Sequence, residues 1–136
     1  MINTIRRTEE EWAAILTPDQ FAILRRSGTE RAFTGEHCHT KTPGRYVCVG
    51  CGTLLFESGD KFDSGCGWPS FSTSHAEDVV TEHRDTSHGM VRTEVRCAGC
   101  DGHLGHVFND GPPPTGLRYC INSVVLRLEP EPPSVP

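Results

Sequence analysis

The sequence lacks a long apolar run. No stretch approaches the roughly 20 residues a membrane-spanning helix needs. Met1 to Glu11 is polar and charged, in place of the apolar segment of a secretory signal. No membrane association is expected, and the cytoplasm is the expected compartment. An excess of basic charge is also missing: 13 Lys and Arg against 18 Asp and Glu give a formal net charge of -5. That excludes the basic stripe of a nucleic-acid binder. There is no internal repeat beyond two short cysteine motifs, and no βαβ alternation of the kind that frames a thioredoxin-like redox pair.

What is present is turn-forming residues and cysteine. The 136 residues suit a single domain, 1–136, with an ordered part from about 8 to 128 and a Pro-rich tail over 129–136. Fourteen Gly and ten Pro point to many turns and few long helices. Thr8 with Glu11 has capping-box spacing before Trp12, Ile15 and Leu16, and Thr17-Pro18-Asp19-Gln20 repeats the start signal before Phe21, Ile23 and Leu24. Gly28 is the natural stop. Beyond it, short strands are expected over 45–48, 53–56, 79–84, 90–95, 104–108 and, most clearly, 119–128. The expected fold is mainly β and antiparallel, with short N-terminal helices.

Seven cysteines divide unevenly. Four form the pairs Cys48-Val49-Gly50-Cys51 and Cys97-Ala98-Gly99-Cys100. Two glycine-rich C-x-x-C turns are how a chain offers four thiolates to one zinc ion, with backbone N–H groups turned toward the sulfurs. The competing reading makes one pair redox-active. A site closed by four sulfurs is structural and not catalytic.

Cys38, Cys66 and Cys120 stand alone. If Arg118 onward is a strand, Arg118, Cys120 and Asn122 share a face, so that a guanidinium and an amide flank one sulfur. Positive charge favours thiolate. A lone cysteine is also often a small buried hydrophobe, but two polar neighbours weigh against that here. His103 and His106 lie three apart, and a bulge at Gly105 would turn both to one site. Acid–base and structural roles are both open to them. Trp68 lies beside Cys66 in a Gly- and Pro-rich loop, where packing and ligand recognition are both possible.

Taken together, these residues resemble the B-type methionine sulfoxide reductases. The resemblance runs from about Thr8 to Leu128 and rests on an ordered set of motifs. These are Gly67-Trp68-Pro69-Ser70-Phe71, Ser87-His88-Gly89-Met90, Gly102-His103-Leu104-Gly105-His106-Val107-Phe108-Asn109-Asp110-Gly111, Pro114-Thr115-Gly116 and Arg118-Tyr119-Cys120-Ile121-Asn122-Ser123. The resemblance implies a pair of twisted antiparallel sheets, and reduction of the R epimer of methionine sulfoxide, free or in proteins. It implies Cys120 as nucleophile, Cys66 as resolving cysteine, and Trp68 and Phe108 at the substrate. His103, His106, Arg118 and Asn122 would surround the sulfoxide oxygen and the catalytic sulfur, with His103 the preferred proton donor. Cys48, Cys51, Cys97 and Cys100 would hold structural Zn2+. Thioredoxin would return the disulfide to thiols, and a monomer is expected.

Cys38, flanked by His37 and His39, is the rival resolving thiol, since neighbouring histidines can lower a thiol pKa. Two further readings compete. A zinc module that binds a protein through the Trp68 loop leaves Cys66, Cys120 and the histidines unexplained. A general disulfide oxidoreductase needs one C-x-x-C free of metal, so metal content separates it.

Overall fold

The structure, a computed structural model, describes residues 5–130, apart from the His88 side chain. Two seven-residue helices open it, α1 (Glu9–Ile15) and α2 (Pro18–Leu24). Both start at the expected capping boxes. The Glu11 N–H donates to Thr8 Oγ1 at 3.2 Å, while Glu11 Oε1 accepts the Thr8 N–H at 2.8 Å. Thr17 and Gln20 repeat the exchange at 3.2 and 2.9 Å. Helices this short are not stable alone; burial of Trp12, Leu16, Ile23 and Leu24 holds them to the rest of the molecule. α2 ends at Leu24, before the Gly28 signal.

Nine strands follow: β1 (Gly44–Cys48), β2 (Leu54–Glu57), β3 (Lys61–Phe62), β4 (Ser70–Phe71), β5 (Val80–Asp85), β6 (Arg92–Cys97), β7 (His103–Phe108), β8 (Arg118–Ile121) and β9 (Leu126–Pro130). They form two antiparallel sheets, in the orders β2-β1-β9 and β3-β4-β8-β7-β6-β5. The expected mainly β, two-sheet architecture with short N-terminal helices is the one observed. Phe56 of β2 stacks on Phe71 of β4, with ring centroids 4.4 Å apart. That contact joins the sheets in one apolar cluster, which includes Tyr46, Leu55, Val95, Leu104, Ile121 and Val125.

The strand expected over 119–128 is two strands in different sheets. A 3-10 turn, Ser123–Val125, carries the chain from β8 to β9. Distant groups satisfy that turn. The Leu104 carbonyl accepts both the backbone N–H and the side-chain amide of Asn122, at 2.9 and 3.0 Å. Glu30 Oε1 accepts the Val124 N–H at 2.9 Å. Glu129 and Pro130, expected in a tail, pair with Arg45 and Gly44 as the end of β9. Residues 131–136 of that expected tail lie outside the described residues.

Candidate active site

Strand register builds a row across the larger sheet. Ser70 pairs with Cys120, Cys120 with His106, His106 with Glu94, and Glu94 with His83. Residues directly opposite on antiparallel strands share a face, so a sulfur, an imidazole and a carboxylate meet on one side. Two residues along each strand, that side carries Arg118, Phe108, Arg92 and Asp85. A cavity of about 310 Å³ opens here, lined by Thr29, Cys66, Trp68, Arg92, Gly105, His106, Phe108, Arg118, Cys120 and Asn122. A larger hollow of about 610 Å³, bounded by Glu30, Glu36 and His37, has no sulfur in its wall.

The cavity floor holds two thiols. Cys66 Sγ lies 3.3 Å from Cys120 Sγ. Burial works against ionising Cys66, but hydrogen bonds from Ser64 and Ser70 outweigh it and bring its pKa down to about 7. Burial pushes the Cys120 thiol up, and the adjacent Cys66 sulfur adds to the rise. Arg118 opposes both effects without overcoming them. Positive charge beside Cys120 was expected to make it the thiolate; in the resting pair, Cys66 is the more readily ionised thiol. Part of the reason is that Asp110 engages Arg118, with Nε and Nη2 donating to its two carboxylate oxygens at 2.9 and 3.2 Å. The guanidinium also packs 4.4 Å from the Phe108 ring centre.

Cys38 lies elsewhere. It is buried, its Sγ is 3.8 Å from His39 Nε2, and it lines a separate hollow with Lys61 and Asp63. Burial raises its thiol pKa, and Lys61 only partly offsets that. The neighbouring histidines do not produce the low value the sequence suggested.

The two histidines are brought to one region. β7 has one more residue than β6 between the pairs Arg96–His103 and Val95–Gly105, so Leu104 is the bulged residue. The His103 and His106 rings then meet edge to face, with centroids 5.6 Å apart. A Cβ at Gly105 would run into the Cys120 carbonyl, which explains glycine there. Only His106 lines the cavity. His103 is 5% exposed, behind it, with Nδ1 2.6 Å from Glu94 Oε2. Burial lowers the His103 pKa, and Glu94 pulls the other way. His106 has its own carboxylate: Nε2 lies 2.8 Å from Asp85 Oδ2.

Trp68 and Asn122 are held by one residue. The Trp68 indole N–H donates to the Glu30 carbonyl at 3.0 Å, and the Glu30 N–H donates to Asn122 Oδ1 at 2.9 Å. Sequence reading did not single out Glu30, Asp85, Arg92, Glu94 or Asp110. The alternation Arg92-Thr93-Glu94-Val95-Arg96 is the signal that finds two of them, because every second residue of β6 is charged.

The four paired cysteines converge at the far end of β6. Their sulfurs lie within 4.8 Å of one another, with Cys48 to Cys100 at 3.8 Å and Cys51 to Cys97 at 3.5 Å. Four sulfurs about 2.3 Å from one tetrahedral zinc are about 3.8 Å apart, so the set fits a metal ion. Hydrogen bonding with Cys100 is the largest cause holding Cys48 well above, and Cys51 and Cys97 below, the ordinary thiol value. The Gly50 N–H donates to Cys48 Sγ at 3.4 Å, and the Thr53 hydroxyl is 3.1 Å from Cys51 Sγ. A Cβ at Gly99 would come within 2.8 Å of Cys51 Sγ.

The arrangement is that of a thiol-based oxidoreductase with a separate four-cysteine centre. Comparison with known proteins agrees: the SelR domain model matches residues 16–130. A protein of Bradyrhizobium diazoefficiens named peptide methionine sulfoxide reductase MsrB is 62% identical over 125 residues, covering 92% of this chain and 90% of that protein. Proteins of the same name from Pseudomonas fluorescens Pf0-1 and Pseudomonas putida W619 are 63% and 60% identical, covering 93% of this chain and 96% and 95% of theirs. This chain belongs to the SelR domain family, the B-type methionine sulfoxide reductases.

Proposed function

We propose that this chain reduces the R epimer of methionine sulfoxide, free or in proteins, to methionine. The observation that carries the reading is the 3.3 Å approach of Cys66 to Cys120 in a cavity walled by Trp68, Phe108, His106 and Arg118. Cys120 is the nucleophile. Its proton passes to Cys66, the nearest base, and its sulfur attacks the sulfoxide sulfur. That attack forms an S–S bond while the oxygen, taking one proton from the site and one from solvent, leaves as water. A water then adds to the Cys120 sulfur, returning one proton, and the S–S bond breaks to release methionine. The substrate sulfur gains two electrons, and Cys120 loses two to become a sulfenic acid.

His106 supports protonation of the sulfoxide oxygen better than the expected His103, because it lines the cavity and pairs in register with Cys120. His103 supports the site from behind through Glu94. Arg118 and Asn122 complete the polar wall, and Trp68 with Phe108 receives the S-methyl group. One buried methyl contributes only about 0.8 kcal/mol, so discrimination against reduced methionine comes mainly from hydrogen bonds to the oxygen. Cys66 then attacks the sulfenic sulfur, forming a Cys66–Cys120 disulfide and releasing water, and thioredoxin returns both thiols.

In this reading Cys48, Cys51, Cys97 and Cys100 hold one structural zinc, which supplies folding energy and takes no part in the reaction. The chain acts as one reductase domain, as a monomer, in the cytoplasm. The contiguous apolar cluster supports the single domain, and no described helix is long and apolar enough to cross a membrane. A thioredoxin-coupled assay with resolved R and S sulfoxides tests the reading. Turnover of the R epimer alone is expected; turnover of S, or of neither, overturns it.

A further inference from the structure

The Asp85 carboxylate is fully engaged. Oδ1 accepts the Ser87 N–H at 2.9 Å, and Oδ2 faces both His106 Nε2 at 2.8 Å and an Arg92 guanidinium nitrogen at 3.3 Å. Ser87 holds one oxygen still, so the other has a fixed place beside the imidazole. A carboxylate at Nε2 requires a proton there. The remaining ring nitrogen, Nδ1, has no hydrogen-bond partner among the described residues. The ring is thus set in one orientation, with Nε2 committed to Asp85 and Nδ1 left without a protein partner among the described residues, in a residue that lines the cavity.

We propose that Asp85 is a positioning residue for the reduction. It fixes the tautomer of His106 and stabilises its imidazolium, so that Nδ1 is the nitrogen that gives a proton to the sulfoxide oxygen. This rests on the reductase reading. Asp85 touches neither substrate nor sulfur and works through His106. The proton balance is simple. His106 carries two ring protons before the step, gives the Nδ1 proton to the departing oxygen, and keeps the Nε2 proton on Asp85. Solvent restores the first proton after the sulfenic acid has been resolved.

Other charges facing His106 act in both directions. Arg92 shares the same Asp85 oxygen and opposes a positive ring, as does Arg118 across the cavity. His103 meets the His106 ring edge to face, and its own carboxylate, Glu94, compensates it. Cys120 lies opposite in register, with Cys66 beyond it. Asp85 is the one carboxylate in direct contact with His106 among the described residues. Two carboxylate–histidine pairs therefore lie side by side, Glu94 with His103 behind the cavity and Asp85 with His106 at its wall.

Single-turnover reduction of R-sulfoxide, followed as methionine formed per enzyme at a series of pH values, tests this in Asp85→Asn. Asparagine keeps the size and an oxygen acceptor but removes the charge. The expected result is a roughly 10- to 100-fold slower step near pH 8, with the alkaline fall of the rate beginning at lower pH. The amide oxygen can still accept the Ser87 N–H, so thermal stability and metal content should match the unsubstituted protein. Asp85→Glu, which keeps the charge, should bring the alkaline limb back. A merely structural role would lower the rate equally at every pH. An unmoved limb in Asp85→Asn, beside a normal wild-type profile, overturns the proposal. Failure of the wild-type protein to form methionine at any pH overturns the reductase reading instead. If Asp85→Asn is unstable, the Asp85→Glu profile decides: a limb as low as that expected for asparagine also overturns the proposal.

Discussion

The Trp68 indole N–H donates to the carbonyl of Glu30 at 3.0 Å. Two loops far apart in sequence are joined by that bond. The same Glu30 carries Asn122 on its N–H and the Val124 N–H on its carboxylate. One residue therefore sets the separation of two walls of the cavity, the indole and the amide. The Phe33 N–H adds a second tie to the loop, at the Gly67 carbonyl, 2.7 Å away.

Trp68→Ala removes the indole wall and frees this joint. The expected outcome is a higher KM for the sulfoxide and lower turnover, with kcat/KM down about tenfold or more, equivalent to about 1.4 kcal/mol. Steady-state kinetics check it. Both parameters unchanged would make Trp68 a packing residue only.

Replacing any one of Cys48, Cys51, Cys97 or Cys100 by serine breaks the four-sulfur set. In a small domain the binding energy of a structural metal is folding energy. The expected outcome is loss of bound zinc and a fall in Tm on the order of 10 °C, corresponding to a few kcal/mol. Activity should be lost in step with stability. Metal analysis and thermal melts read this; a metal-free variant that melts and turns over like the parent rules out the structural role.

The helices were legible because their signals are local. Thr8 with Glu11 and Thr17 with Gln20 are three residues apart, and each pair closes on itself. The cysteine centre was legible because donor type and spacing carry the chemistry. The break at Ser123 was not, because the groups that stabilise it, Glu30 and Leu104, are remote. An apolar run over Val124, Val125 and Leu126 reads as continuous strand, although Asn122-Ser123 is a turn-prone pair. The two-residue strands β3 and β4 are too short to show any period. Asp85 and Glu94 needed the register: neither is near His103 or His106 in sequence, and each touches one of them only because β5, β6 and β7 pair as they do.

Cys120→Ser removes the nucleophile while keeping size and shape. Reduction of the R epimer should be abolished, with folding and zinc content intact. A serine hydroxyl ionises far less readily than a thiol and is a weak nucleophile toward the sulfoxide sulfur. Substantial residual turnover, measured as methionine formed, would exclude Cys120 as the attacking group.

Cys66, and not Cys38, is the sulfur expected to resolve the sulfenic acid. Cys66 is already 3.3 Å from Cys120, so a bond of about 2.05 Å needs little movement. Cys38 lies in a different hollow, with a thiol raised by burial. Cys66 is also the more ionised, at about 7, and thiolate is the attacking form. Iodoacetamide labelling of the resting protein should therefore modify Cys66 with a midpoint near that pH, ahead of Cys120 and Cys38. The same shift ties stability to pH. Because the folded value lies below the ordinary thiol value, its contribution is full above about pH 8.5 and is lost as pH falls through about 7. Cys66→Ser should form about one methionine per enzyme in a single turnover and then stall with thioredoxin. Cys38→Ser should recycle almost normally. Peptide mapping after one equivalent of substrate decides the matter. A Cys66–Cys120 disulfide is expected; a Cys38–Cys120 disulfide with Cys66 still free would transfer the role to Cys38 and leave Cys66 a loop residue.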